Sequence, residues 1–353
     1  MMTRLRPLLI SFTAVFLGAF TADQLGLPIP WLLGSLLTSA ALSICGIKVH
    51  TVTGGRQIGL TVIGISLGLY FTPQMVALLA EHWLWLLSGM AFAVLLTLLG
   101  TVLVYRFTDE DFTTAWFASS VGGASEMAVM ASQNGAHVDK VVAAHSLRVL
   151  MVVTIVPFFY QFQGYHGMDG SASTANPAVH FGGLLLLVAL AVGGGWLFSW
   201  RGWSNPWTFG PMLTAILLTV AGIHLSAVPP QMSALGQLLI GWALGTKFSP
   251  DFFRTAPRLL LVTAVNVCIG LLLTWALASL LEPVSGISLP TLGLGLAPGG
   301  VAEMTITAKV LQLSVPLVTA FHIVRMVTII GAAGWLYRYF ANRITQPTAK
   351  HDV

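Results

Sequence analysis

Four charged side chains that lie inside apolar segments are the residues of this sequence best suited to chemistry. Glu126 and Glu303 each follow two glycines in the pattern Gly-Gly-x-x-Glu-Met. A histidine stands nineteen residues after each glutamate, and an arginine, Arg148 or Arg325, follows three residues later. A charged group in the middle of an apolar helix is costly, so each of these residues needs a partner or water.

The two charged residue types favour a division of roles. An arginine keeps its charge and presents a planar fork of donors, which suits an anionic group, whereas a buried glutamate can bind and release a proton near neutral pH. We predict that Arg148 and Arg325 bind an anionic solute and that at least one of Glu126 and Glu303 carries a proton. The alternative role is structural, because reciprocal Glu–Arg pairs would neutralise all four charges and stabilise the fold.

The two histidines of the pattern, His145 and His322, lie three residues before the arginines. That spacing places each histidine on the same helical face as its arginine. Each histidine could therefore join a proton relay or satisfy a hydrogen bond to a neighbouring group, and the sequence leaves both roles open.

The segments that carry the glutamates are rich in residues that interrupt helices. Glycine and proline disfavour an uninterrupted helix, and irregular backbone at membrane depth needs protein or water to satisfy its polar groups. A break that exposes helix N-termini to a cavity also favours an anion. We predict interrupted or re-entrant segments whose backbone contributes to the site at Gly122, Gly123, Ser125, Pro298, Gly299 and Gly300.

The composition places most of the chain in a membrane. Of its 353 residues, 56% are hydrophobic and only 8% are charged, whereas soluble domains carry roughly 25% charged residues. This excludes a soluble enzyme, and the absence of a soluble basic domain argues against a nucleic-acid partner. Twelve apolar segments fall into two sets of six, which predicts a first membrane repeat at 1–160, an exposed linker at 161–180, a second membrane repeat at 181–340 and a cytoplasmic tail at 341–353.

An internal duplication relates the two halves at a shift of 176 to 177 residues. Trp31 and Gly34 recur as Trp207 and Gly210. The glycine pairs Gly64/Gly68 and Gly241/Gly245 also correspond, and their four-residue spacing is typical of helices that pack closely in membranes.

The distribution of Lys and Arg predicts the topology. If the fifth segment of each half enters and leaves the membrane on one side, Lys309 is the only loop cation outside, and thirteen others collect on the cytoplasmic side, as the positive-inside rule expects. Each half then crosses five times, so the halves are inverted relative to each other. We predict an all-α polytopic membrane protein with about ten spans, two re-entrant or interrupted segments and both termini in the cytoplasm. The thirteen are Arg4, Arg6, Lys48, Arg56, Arg106, Lys140, Arg201, Lys247, Arg254, Arg258, Arg338, Arg343 and Lys350.

These motifs give the sequence a family resemblance. The duplicated Gly-Gly-x-x-Glu-Met and His-x-x-Arg patterns, with Pro30-Trp31-x-x-Gly34 and Asn205-Pro206-Trp207-x-x-Gly210, resemble the AbrB family of bacterial inner-membrane proteins. The resemblance implies a bacterial inner-membrane location and a relation to antiporter-like folds with inverted repeats. Members are also described as regulators or as ammonia monooxygenases.

We therefore expect a secondary transporter of a small, anionic solute, coupled to H⁺ or Na⁺, with the lipid bilayer as its surroundings. The alternative is a membrane-embedded regulator of gene expression that acts through a partner. A membrane monooxygenase is third, because copper would require clustered ligands and the sequence offers only His145 and His322 as an intramembrane pair. We expect no enzymatic activity, no cofactor, no metal and no nucleic-acid partner, and a homodimer is one option for assembly.

Overall fold

The architecture is known from a computed structural model, which describes residues 2–167, 179–203 and 205–345. Within these ranges all regular secondary structure is helical. The first eight helices are α1 (Met2–Gln24), α2 (Pro30–Ile44), α3 (Gly55–Gly68), α4 (Pro73–Glu81), α5 (Trp83–Phe107), α6 (Phe112–Ser119), α7 (Ala124–Gln133) and α8 (Val138–Phe162). The next eight are α9 (Phe181–Trp200), α10 (Pro206–Val220), α11 (Pro230–Gly245), α12 (Phe252–Thr255), α13 (Pro257–Ser285), α14 (Leu289–Leu296), α15 (Val301–Val310) and α16 (Val315–Thr345).

The helices of the second set follow the first set in order and in approximate length. For example, α6 and α14 have 8 residues each, and α7 and α15 have 10 each. The predicted linker corresponds to the connection between α8 and α9, of which residues 168–178 lie outside the described residues. Residues 346–353 of the predicted tail also lie outside them.

The helices pack as two bundles. The first bundle contains α1, α2, α3, α9, α10 and α11. In this bundle α2 packs along α11, and the equivalent pair, α10 and α3, packs in the same way. The second bundle contains α4 to α8 and α12 to α16, in which α8 packs on α13 and α16 packs on α5. Across the boundary the most extensive packing of helices is between α3 and α15. The polar residues predicted to form a site all lie in the second bundle.

Close approach of helices in the first bundle explains its paired glycines. A Cβ atom on Gly68 of α3 would lie 2.6 Å from the backbone oxygen of Met212 on α10, and one on Gly245 of α11 would lie 2.7 Å from that of Leu36 on α2. Side chains at these equivalent positions would force the helices apart. The predicted role of the glycine spacing in helix packing is confirmed.

Among the described residues, six helices are long and apolar enough to cross a membrane, namely α1, α5, α8, α9, α13 and α16, and the bent pair of α3 and α4 raises the total to seven. Both α2 and α10 have 15 residues, which corresponds to about 22 Å, whereas the hydrocarbon core is about 30 Å thick. The ten-span topology counts these short helices as crossings, so it remains a proposal. Cys45 and Cys268, one in each half, are exposed and unpaired.

Candidate functional site

Two helices are interrupted in the second bundle, as the glycine content predicts. Residues 120–123 separate α6 from α7, and residues 297–300 separate α14 from α15. Each break leaves the last carbonyl groups of one short helix and the first N–H groups of the next without partners inside the helix. The site is built around these two sets of backbone groups.

The arginines of the duplicated motif bind the carbonyl groups at the breaks. Arg148 on α8 donates from Nη1 to the Ser120 oxygen at 2.7 Å and from Nη2 to the Gly122 oxygen at 2.9 Å. Arg325 on α16 donates in the same way to the oxygens of Ala297 and Gly299, which are the equivalent residues. A buried guanidinium at a helix C-terminus satisfies orphan acceptors and complements the negative end of the helix dipole.

The histidines bind one helical turn earlier. His145 donates from Nε2 to the Phe117 oxygen of α6 at 2.9 Å, and His322 donates to the Leu294 oxygen of α14 at 2.9 Å. Both imidazoles are fully buried. Each His-x-x-Arg motif therefore fixes a long helix to the short helix that ends at a break. These contacts satisfy Nε2 of each histidine, whereas Nδ1 of each is buried without a hydrogen-bond partner.

The glutamates occupy the first turn of the helices that follow the breaks. Glu126 accepts a hydrogen bond at Oε1 from Nδ2 of Asn205, at 2.9 Å, and its Oε2 is buried without a partner. The reciprocal Glu–Arg pairs considered from the sequence are not formed between these four described residues, because both guanidinium groups bind backbone oxygens instead. The described ion pairs, Lys140–Glu110 and Arg258–Asp109, lie elsewhere.

Each glutamate folds back over the glycine that begins its helix. A Cβ atom on Gly123 would collide with Oε2 of Glu126, and one on Gly300 would collide with Oε2 of Glu303. The carboxylates thus lie at the positive ends of α7 and α15, where the helix dipole stabilises a negative charge. Glycine at these positions makes room for the acid.

Both breaks open onto one cavity of about 100 Å³ between the two bundles. Both glutamates and both arginines line this cavity. The predicted broken-helix residues also line it, except for Pro298, which is buried. The two histidines lie outside its lining. The cavity therefore brings together the two copies of the motif, although they are far apart in the sequence.

Four polar residues of the first bundle also line the cavity and were not predicted. They are Arg56 in the first turn of α3, Lys247 just after α11, Asn205 just before α10 and Thr208 in the first turn of α10. The charge distribution along the sequence predicts cytoplasmic loop positions for Arg56 and Lys247 and no role in a site. Their positions next to helix ends gave no signal that they face inward, and Asn205 was noted only as part of a motif.

One group of residues comes close enough to hold a metal ion among the described parts of the chain. Ligand atoms of Glu110, Asp111 and His137 lie within 4.8 Å of one another, between α5 and α6 and before α8. Glu110 is already paired with Lys140. Burial raises the pKa of Asp111, but its hydrogen bonds with Thr114 and Thr113 outweigh that effect and the net shift is downward. These carboxylates therefore serve an ion pair and a helix cap.

The fold and the site define an all-helical, membrane-type protein in which two glycine-broken helices meet at a polar cavity. The chain belongs to the AbrB family, because the family model described as "Transition state regulatory protein AbrB" matches residues 31–341. The resemblance predicted from the duplicated motifs is confirmed.

Two relatives align over most of the chain. The "Uncharacterized protein YhjN" of Bacillus subtilis (strain 168) is 25% identical over 350 residues, covering 91% of this chain and 90% of the relative. The "Putative regulator AbrB" of Escherichia coli (strain K12) is 24% identical over 327 residues, covering 89% of this chain and 91% of the relative. Neither name describes an enzyme.

Proposed function

We propose that the protein is a secondary transporter of a small anionic solute, which binds in the cavity between the two helix breaks. The observation that carries this proposal is the charge around that cavity. Four cationic side chains and two glutamates line it, so the formal charge is 4 − 2 = +2 when both acids are ionised. The N-termini of α7 and α15 add two positive dipole ends.

The roles of the cations differ from those predicted by sequence. Arg148 and Arg325 are engaged by the breaks, so we assign them to positioning the backbone. Arg56 and Lys247 contact the cavity from the first bundle, on the side opposite the helix breaks. We assign anion recognition to Arg56 and Lys247, and proton exchange to Glu126 or Glu303.

An inverted arrangement of the two halves is part of the proposal. It is supported by the opposite directions of equivalent helices relative to the cavity. The cavity is lined by Arg56 near the start of α3 but by Lys247 after the end of its counterpart α11. Inverted repeats with interrupted helices are the architecture of many secondary transporters.

Alternation of access requires two parts that move against each other. The two bundles provide them, because helix packing is extensive inside each bundle and centres on α3 and α15 between them. A cavity at a boundary of this kind can open to one side or the other by rigid-body movement. Ten crossings, cytoplasmic termini, the bacterial inner membrane and coupling to H⁺ or Na⁺ belong to this proposal.

The alternative is a membrane regulator that acts through a partner, and the name of the E. coli relative favours it. A purely regulatory protein needs no solute flux. A membrane monooxygenase is less well supported, because His145 and His322 each bind a backbone oxygen of a different helix. Metal analysis of the purified protein tests that third function.

Uptake into proteoliposomes tests the proposal. A panel of labelled solutes is used under an imposed proton gradient, comprising a monocarboxylate, a dicarboxylate, phosphate, sulfate and a small cation. We expect uptake of at least one anion, and we expect Lys247→Gln and Arg56→Gln each to lower its kcat/KM about tenfold or more, because each removes a charged hydrogen-bond donor.

The matched control is Arg254→Gln, since Arg254 is exposed and does not line the cavity. It should leave uptake unchanged. Transport of the cation alone, or equal effects of all three substitutions, would contradict the assignment of Arg56 and Lys247. No uptake of any solute by folded protein would favour the regulatory function.

The glycines under the carboxylates give a second prediction. Gly300→Ala should displace the Glu303 carboxylate from the start of α15, because the added Cβ occupies the position of Oε2. The backbone of Gly300 has φ −79°, which alanine adopts, so the fold should be retained. We expect proton-driven uptake to fall about tenfold or more, since a small misplacement of a reacting group is costly.

Gly331→Ala on α16 is the control, because nothing lies within 4 Å of a Cβ at that position. It should keep both uptake and thermal stability. Equal uptake by Gly300→Ala and Gly331→Ala would show that the position of the carboxylate is unimportant.

A further inference from the structure

A partly buried lysine that lies outside the cavity connects the two bundles. Lys309, in the last turn of α15, donates hydrogen bonds to Oγ of Ser66 on α3 at 2.6 Å and to Oγ of Ser233 on α11 at 3.3 Å. The lysine belongs to the second bundle and both serines belong to the first. The contact therefore crosses the boundary at which the bundles would have to move.

Lys309 lies at the opposite end of the first bundle from the cavity. Along α3, Ser66 is ten residues after Arg56, or about 15 Å. Along α11, Ser233 is fourteen residues before Lys247, or about 20 Å. Because Arg56 and Lys247 line the cavity and both serines contact Lys309, the helices α3 and α11 run between the cavity and the lysine.

A second, larger pocket of about 1030 Å³ lies at this opposite end. Its lining includes Lys309 and both serines, together with the starts of α2 and α11. The internal duplication relates the two pockets, because residues that line one pocket have counterparts that line the other. Arg56, Leu60 and Lys247 line the cavity, and their counterparts Ser233, Gln237 and Tyr70 line the second pocket.

The two pockets differ in what they reach. The cavity contacts both helix breaks and both glutamates, whereas the second pocket reaches α15 only at Lys309 and Val310. Between Gly300 and Lys309 the helix α15 extends for nine residues, or about 13 Å. In this conformation the breaks are therefore open toward Arg56 and Lys247 and are separated from the second pocket.

We propose that the second pocket is the other mouth of the solute pathway and that Lys309, bound to Ser66 and Ser233, is the latch that holds this mouth closed. This inference rests on the proposed transport function. Opening requires α15 to move away from α3 and α11, which breaks both hydrogen bonds of a charged donor. Such bonds are stronger than those between neutral groups.

The latch has no counterpart in the first half of the chain. The equivalents of Lys309, Ser66 and Ser233 are Ser132, Ala243 and Arg56, and these residues cannot form the same contacts. The protein is therefore biased toward the conformation in which the second mouth is closed. Lys309 is a positioning residue, because it acts through the bundle boundary and does not line the cavity.

Labelling of a reporter cysteine from each side of the membrane tests the latch. Ser125 lines the cavity and is exposed there, so Ser125→Cys is introduced after Cys45 and Cys268 are replaced by serine. A membrane-impermeant maleimide is added to right-side-out and to inside-out vesicles. In the otherwise native protein we expect fast labelling from one side and slow labelling from the other.

Lys309→Met should raise the slow rate about tenfold or more, because it removes the charged hydrogen bonds of the closed state. The Ser66→Ala/Ser233→Ala double variant should also raise the slow labelling rate. Lys309→Arg, which can still donate to both serines, should leave it low. Lys140→Met is the control, since Lys140 pairs with Glu110 inside the second bundle alone, and it should have no effect.

The outcomes separate the latch from the proposed function. If the slow rate is unchanged in both Lys309→Met and the double serine variant while anion uptake by the native protein persists, the latch is wrong and transport stands. If the native protein is folded and Ser125→Cys is labelled equally from both sides or from neither, the alternating pathway itself is wrong. The double serine variant keeps the test decisive if Lys309→Met does not fold.

Discussion

Arg325→Met is expected to destabilise the protein by about 3–5 kcal/mol, because it leaves buried acceptors at the second helix break without a donor. The guanidinium of Arg325 binds the oxygens of Ala297 and Gly299, and its side chain is only 6% exposed. The measurement is the free energy of unfolding in mixed micelles.

Arg148→Met should destabilise the protein in the same direction, since its contacts with Ser120 and Gly122 are equivalent. Lysine should rescue either position only in part, because one ammonium group cannot reproduce a planar fork that binds two carbonyl oxygens. Arg338→Met is the control. Arg338 is exposed on α16 and binds only the Gly334 oxygen of its own helix, so its loss should change stability by no more than about 0.5 kcal/mol.

This prediction separates two roles that the sequence could not separate. If Arg148 and Arg325 served mainly to bind the solute, their methionine variants would be as stable as Arg338→Met and would lose affinity. If the two arginines instead stabilise the helix breaks, their methionine variants should have a lower free energy of unfolding than Arg338→Met. Equal stability of Arg325→Met and Arg338→Met would restore the solute-binding role predicted from the sequence.

Local patterns were sufficient to predict the interruptions and the close helix packing. Glycine between residues 119 and 125, and glycine and proline between 293 and 300, act through backbone conformation, so their effect is visible within a few residues of sequence. The Gly68 and Gly245 contacts follow from side-chain size in the same way. The duplication made both inferences stronger, because each pattern occurs twice.

The partners of the arginines could not be predicted by adding charges. Two glutamates and two arginines suggested neutral pairs, but the competing acceptors are backbone oxygens that become available only because the helices end. The amino-acid composition does not indicate which backbone carbonyl groups lack a partner within a helix. A broken helix followed in both halves by the same His-x-x-Arg spacing is the signal that could have indicated them.

Residues of the first bundle were missed for a different reason. Arg56 and Lys247 stand at helix ends, and a cation at the end of a membrane helix is most often a topology signal. Only the way in which the two bundles meet brings both residues to the cavity. Lys309 was predicted only as a loop cation on the outer side. Its equivalent, Ser132, is uncharged, and in the proposed mechanism this asymmetry allows one mouth to differ from the other.

At least one of the two single variants, Glu126→Gln and Glu303→Gln, is expected to lose uptake driven by a proton gradient. The double variant should lose this uptake completely. Glutamine keeps the size of the side chain at the start of α7 or α15 but cannot carry the proton. The two acids are not equivalent in this conformation. Glu303 is 9% exposed, whereas Glu126 is half-buried and bound to Asn205.

Exchange of labelled for unlabelled solute, without a proton gradient, distinguishes coupling from binding. A variant that loses only coupling should retain exchange while its driven uptake falls by about 100-fold, which is a typical contribution of a positioned proton-transfer group. Glu81→Gln is the control, because Glu81 is exposed at the end of α4 and does not line the cavity. Normal driven uptake in the double variant would remove both acids from proton transfer and leave them a structural role at the N-termini of α7 and α15.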